Sequence, residues 1–148
     1  MDLMRFWNFI AEFDQAYDFH RKKVMNKYEL SAIEVDVLLF VANNPEINTS
    51  VDIVRLRKIA KSHVSMAVKS LSEKGYIVKF NDSSNRKIIR LRPTPEATEI
   101  IVYGREEQKK FTMAVEKGLT EADRILFYQH MSRVSKNLQE VYGLNSSK

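Results

Sequence analysis

The apolar period of this 148-residue chain changes at Gly75. Upstream, apolar residues recur every three or four positions, as on the face of a helix. After Gly75 the period becomes two: Tyr76-Ile77-Val78-Lys79-Phe80 reads as a strand. Asn81-Asp82-Ser83-Ser84-Asn85 is a dense turn signal, and Lys87-Ile88-Ile89-Arg90-Leu91-Arg92 reads as the return strand, with Ile89 and Leu91 on one face. From Pro95, a residue suited to a first helical turn, the helical period returns. One hairpin among helices excludes sheet-rich folds, and the scarcity of glycine (4) and proline (3) agrees. The expected fold is mainly α with a small β-hairpin, at a length that can bury one core of ordinary size.

The helices announce their ends. Ser31 with Glu34, Thr49 with Asp52 and Thr120 with Asp123 have capping-box spacing. Leu30 and Val35 flank the first box as a hydrophobic staple, Ile33, Val37, Leu38 and Val41 form the expected buried face, and Pro45 ends that helix. A short helix follows with Ile53 and Leu56 inward, and then one over about residues 61–74. In the latter, Val64, Ala67, Val68 and Leu71 are the core stripe. Between Pro95 and about Lys117, a weak stripe of Ile101, Gly104, Gln108, Phe111 and Val115 is interrupted by polar residues.

The two end helices are unusually apolar. Phe6, Ile10, Phe13, Tyr17, His20 and Val24 form one stripe, widened by Trp7, Phe9 and Phe19, while Phe127, Met131, Val134, Leu138 and Val141 form another. One small domain has too little surface of its own to cover both, so a second chain is expected. The tail, Asn145 to Lys148, reads as frayed.

Charge is concentrated in the middle. Residues 51–92 hold eleven basic and three acidic residues, a local +8 in a chain of net +5. Such a segment suits a polyanion. A short helix, a tight turn, a second helix and a basic hairpin make a winged helix-turn-helix, whose second helix enters the major groove of duplex DNA while the hairpin reaches the minor groove. On that second helix the side opposite the core carries Ser62, Met66, Lys69 and Glu73, flanked by His63, Ser65 and Ser70. Ser62, His63, Ser65 and Met66 are the candidate base readers, and Lys61 and Lys69 the candidate phosphate contacts.

Residues 59–77, Ile-Ala-Lys-Ser-His-Val-Ser-Met-Ala-Val-Lys-Ser-Leu-Ser-Glu-Lys-Gly-Tyr-Ile, resemble the recognition helix and exit of the multiple-antibiotic-resistance regulator (MarR) family. The family's wing carries a D-R-R-like tip and then L-T-x-x-G; here the tip is Asn85-Arg86-Lys87, followed by Pro93-Thr94-Pro95-Glu96-Ala97. Gly118-Leu119-Thr120-Glu121 is similar to the turn before the family's last helix, and the element order matches along nearly the whole chain. The resemblance implies one domain over 1–148, with dimerisation helices in 1–30 and 95–148 and a DNA-binding lobe in 31–94, joined through an obligate-type helical dimer interface. It implies a homodimer on a palindromic operator, acting as a transcriptional regulator and more simply as a repressor than an activator. It assigns Arg86 to the minor groove, with Lys87 beside it. Many relatives take a small effector; Tyr17, His20, Tyr28 and His130 are the candidates to line such a cleft here. Asn85 stands where the family has an acid, so an ion pair orienting the wing arginine is expected to be missing. Ala60 stands where a capping Ser or Thr is common, which leaves helix entry to Ser62.

Other functions fit less well. The chain has no cysteine, hence no disulfide, thiolate metal site or thiol redox chemistry. There is no glycine-rich phosphate loop, and His20, His63 and His130 share no metal-ligand spacing, so neither an enzyme nor a cofactor or metal is expected. No apolar run approaches membrane-spanning length, and the first residues lack a signal-peptide layout, so a cytoplasmic protein without a membrane partner is expected. The remaining alternative is a winged-helix protein-interaction module that never touches DNA, against which the +8 segment argues.

Overall fold

The computed structural model describes residues 1–144; the expected frayed tail, Asn145 to Lys148, lies outside them. The element order is α1 (Leu3–Tyr28), α2 (Ala32–Asn43), α3 (Ser50–Arg57), α4 (Lys61–Glu73), β1 (Ile77–Asn81), β2 (Ile89–Pro93), a single 3₁₀ turn (Pro95–Ala97), α5 (Thr98–Val115) and α6 (Glu121–Tyr142). The chain divides into two compact units after Phe111, inside α5. The first helix therefore groups with the winged lobe, because its C-terminal end, Val24 with Leu30 beyond it, is built into that lobe's core.

Three helices start as the sequence dictates. Ser31, Thr49 and Thr120 each accept a hydrogen bond from the backbone N–H three residues on, and Glu34, Asp52 and Asp123 each bond back to the cap. These pairs satisfy N–H groups that a helix start leaves open. Gly75 leaves α4 at φ 78°, a left-handed backbone that suits glycine. The chain then turns back at once: Tyr76 donates to the Leu71 carbonyl at 2.8 Å.

The hairpin is antiparallel, with Ile77 opposite Pro93, Lys79 opposite Leu91 and Asn81 opposite Ile89. Asn48, buried in the loop before α3, acts as a third rung. It accepts from the Leu91 N–H at 2.9 Å, and its side-chain amide donates to the Leu91 carbonyl at 2.8 Å.

The core of the first unit lies around α2 and draws on Val24, Leu38, Ile53, Leu71, Ile77 and Leu91. Three expectations need correction. The α2 helix is buried almost all round, Glu34 and Asp36 included, while Ile33 is only half-buried. The reason is that α1, α4 and β2 all pack on it. Ile89 does not share the burial of Leu91; it is 54% exposed because β2 has by then run out beyond the core. On α5 the inward residues are Ile100, Ile101, Gly104, Glu107 and Phe111, so an acid takes the place expected for Gln108, which instead accepts from the Asn43 amide at 3.0 Å. Gly104 lets α5 come close to α2: a Cβ there would lie 2.6 Å from a Leu39 methyl, so that side chain would have to shift.

In the second unit no residue of α6 is buried. Met131, Val134, Leu138 and Val141 are all exposed, Val141 at 72%. In the first unit Phe6, Trp7 and Phe9 are exposed near the start of α1.

Candidate nucleic-acid interface

The α4 helix owes its orientation to its buried stripe. Val64, Ala67, Val68 and Leu71 face the core, so the residues between them are turned outward. Lys61, Ser62, His63, Ser65, Met66 and Lys69 are all exposed on this one helix. Arg86 and Lys87 are exposed on the loop between β1 and β2. The expectation that Ser62 caps α4 is corrected: the N-cap is Ala60, no side-chain bond closes the first turn, and the Ser62 hydroxyl remains on the outer surface. Helix entry thus relies on backbone bonds such as Val64 N–H to the Ala60 carbonyl, at 3.0 Å.

The hairpin tip is organised by a residue not singled out in the sequence, Asp82. One carboxylate oxygen accepts from the Ser84 N–H (2.9 Å), the Ser84 hydroxyl (2.6 Å) and the Asn85 N–H (3.2 Å). The other pairs with the Arg90 guanidinium, which also donates to the Asn48 side chain at 3.0 Å and to the Glu46 carbonyl at 3.3 Å. The Ser84 hydroxyl and Arg90 hold the Asp82 carboxyl well below the usual carboxylate range. A wing arginine is therefore held by an ion pair, but it is Arg90, on β2 next to the tip loop, and the acid, Asp82, lies three residues before Asn85. At the tip, Asn81 donates to the Arg86 carbonyl at 2.8 Å and Asn85 accepts from the Lys87 N–H at 3.1 Å. The backbone at Arg86 is thus fixed, and its side chain has no carboxylate within ion-pair distance among the described residues.

Pairing divides the eleven bases of residues 51–92. Arg55, Arg57, Lys69, Lys74 and Arg90 are paired with Asp52, Asp36, Glu73, Glu34 and Asp82. Lys58, Lys61, Lys79, Arg86, Lys87 and Arg92 have no such acid among the described residues; Arg92 lies over the Phe80 ring at 5.2 Å. The positive charge not used within the fold therefore sits at the start of α4 and along the hairpin.

Of the four candidate effector residues, the three in the first unit, Tyr17, His20 and Tyr28, have separate surroundings. Tyr17 meets Phe111 edge-on at 5.3 Å and lines an open cavity of about 590 Å³ with Asp14, Asp18, Arg21, Asp36 and Arg57. In that cavity the buried Asp36 carboxylate receives Arg21 at 2.8 Å and Arg57 at 3.3 Å. His20 is instead committed to Glu107, Nδ1 to Oε2 at 2.8 Å. Burial pushes the Glu107 carboxyl up, but hydrogen bonds from Lys110 and His20, with the charges of Lys110 and Lys23, bring it down to about 2. Tyr28 donates to Glu99 Oε1 at 2.9 Å and packs on Tyr103. Eleven residues of helix, about 16 Å of rise, separate Tyr28 from Tyr17, too far for one small pocket. His130 lies exposed on α6, in the other unit.

No group of three or more His, Asp or Glu among the described residues is arranged to hold a metal ion. No helix among them is long and apolar enough to cross a membrane.

A short helix, a turn, an outward-faced second helix and a hairpin braced next to its tip define a winged helix-turn-helix. Residues 28–87 match the model of the MarR family. Among curated proteins the chain is similar to an uncharacterized HTH-type transcriptional regulator, YybA, of Bacillus subtilis (strain 168), 28% identical over 82 residues; the match spans 55% of this chain and 55% of that protein, about half its length. Among solved structures, a putative MarR family transcriptional regulator from Listeria monocytogenes, in complex with a 26mer DNA, superposes with a TM-score of 0.76 at 21% identity, covering 100% of this chain and 99% of that one. The transcriptional regulator SlyA gives 0.73 at 24% identity, over 97% and 98%. These comparisons agree with the resemblance read from the sequence: residues 28–87 match the family's model, and the chain has the fold of these solved regulators.

Proposed function

We propose that this protein is a sequence-specific, double-stranded-DNA-binding transcriptional regulator. The observation that carries this reading is the set of side chains the fold leaves unused: the polar outer face of α4 and the unpaired bases of α4 and the hairpin. The Listeria regulator, solved in complex with a 26mer DNA, supports it. In this reading Ser62, His63, Ser65 and Met66 face base edges, Lys61 and Lys69 meet phosphates, and Arg86 with Lys87 enters the minor groove.

The protein acts as a homodimer through 1–30 and 95–148, because α6 and the start of α1 leave apolar side chains uncovered. Two copies related by a twofold axis then read a palindrome. Repression, by occupying promoter DNA, is the simplest output. A small effector seated at Tyr17 would act on the lobe through Asp36 of α2 and Arg57 at the end of α3.

The test is titration of a random-sequence duplex at several salt concentrations. Binding in dilute buffer that weakens steeply with salt is expected, as Lys and Arg release counterions from phosphate. No binding even in dilute buffer overturns the reading and favours a protein-interaction module.

A further inference from the structure

The outward face of α4 carries one large apolar side chain among polar ones. Met66 lies between Ser62, one turn before it, and Lys69, nearly one turn after, with His63 and Ser65 on the flanks. It is 70% exposed. Together with Ile33, His63 and Ala67 it lines the rim of an open notch of about 320 Å³. Most of its surface nonetheless remains open to solvent, and it lies in the N-terminal half of α4, the part of a groove-entering helix that meets base edges.

We propose that Met66 reads a thymine methyl group, and that the preferred half-site carries an A·T pair beneath it; this rests on the DNA-binding reading above. In the major groove all hydrogen-bonding edges are polar, and the single apolar group displayed is the C5 methyl of thymine. A side chain with no donor and only a weak acceptor cannot read the polar edges. An unbranched thioether adapts its shape to a small apolar neighbour. Ser62 and Ser65, which can donate or accept at several bases, are more tolerant. Discrimination at the centre of the half-site therefore falls to the methyl contact rather than to a bidentate hydrogen bond.

The test uses duplexes carrying the sequence best bound in a selection, with thymidine replaced by deoxyuridine at one position at a time. That replacement deletes the methyl and keeps the base pair. Wild-type protein and Met66→Ala, a substitution at an exposed site, are titrated against each. Loss of one buried methyl corresponds to about a fourfold loss of affinity. The expected result is such a loss at one position per half-site with wild-type protein, and equal affinity for both duplexes with Met66→Ala. Equal affinity of wild-type protein at every position, with specific binding retained, overturns the proposal and leaves the DNA-binding reading standing. A sensitive position that persists in Met66→Ala also overturns it, since another residue then reads the methyl. Absence of binding to any duplex overturns both.

Discussion

Two helices with clear apolar spacing, α2 and α6, end in opposite surroundings. In α2 seven of twelve residues are buried, two of them acids; in α6 none of twenty-two is. Yet the stripe of α6, from Phe127 to Val141, is the more regular of the two in sequence. Regular spacing identifies a helix with an apolar face; it does not say what covers that face. The α2 face is covered by the same chain. The α6 face is not covered by the described chain, and the proposed homodimer is what would cover it.

Four measurements break or sharpen that contrast. Leu138→Asp sets a charge on the exposed stripe. If α6 forms the dimer contact, an uncompensated buried charge costs association about 3–5 kcal/mol, and sedimentation shows a monomer. A dimer of unchanged strength removes α6 from the interface. Leu38→Ala, at a fully buried α2 position, is expected to lower unfolding free energy by about 2–5 kcal/mol in denaturant titration. A loss below about 1 kcal/mol, the range of surface substitutions, contradicts α2 as the core's centre.

Acid tests the buried acid of α5. The carboxyl of Glu107 is lowered from an ordinary 4.5 to about 2 in the folded chain. Its contribution is thus complete above the ordinary value and is lost as pH falls from there towards 2. Wild-type stability is expected to fall through that window more steeply than that of Glu107→Gln; parallel curves would show that the ion cluster contributes nothing. The smallest effect on the fold belongs to Arg86→Ala. It weakens DNA binding while leaving the melting temperature unchanged, and unaltered affinity removes Arg86 from the interface.

Much of the fold was legible because its signals are local. Each capping box is a pair three residues apart, and the change of period at Gly75 marks the hairpin. What was not legible depends on pairs distant in sequence. Asn48 bonds to Leu91, forty-three positions away, and Glu107 meets His20 across eighty-seven. Neither leaves a spacing to read. The site was legible in part. The α4 stripe fixes which residues face outward, so Ser62, His63, Ser65 and Met66 followed from spacing alone. The Asp82–Arg90 brace was hidden because Asp82 sat in a run read only as a turn. The surroundings of the candidate effector residues were not legible, because Tyr17 and Tyr28 share a helix but lie about 16 Å apart along it.

Selection of preferred sequences from a pool of random duplexes tests the central claim most directly, because one surface presented by two symmetric copies must leave a symmetric trace. The account predicts an inverted repeat whose half-site centres lie about one helical turn apart, roughly 10–10.5 base pairs, or a multiple of it. Failure to enrich any sequence, or enrichment of a single half-site with no symmetric mate, would contradict it.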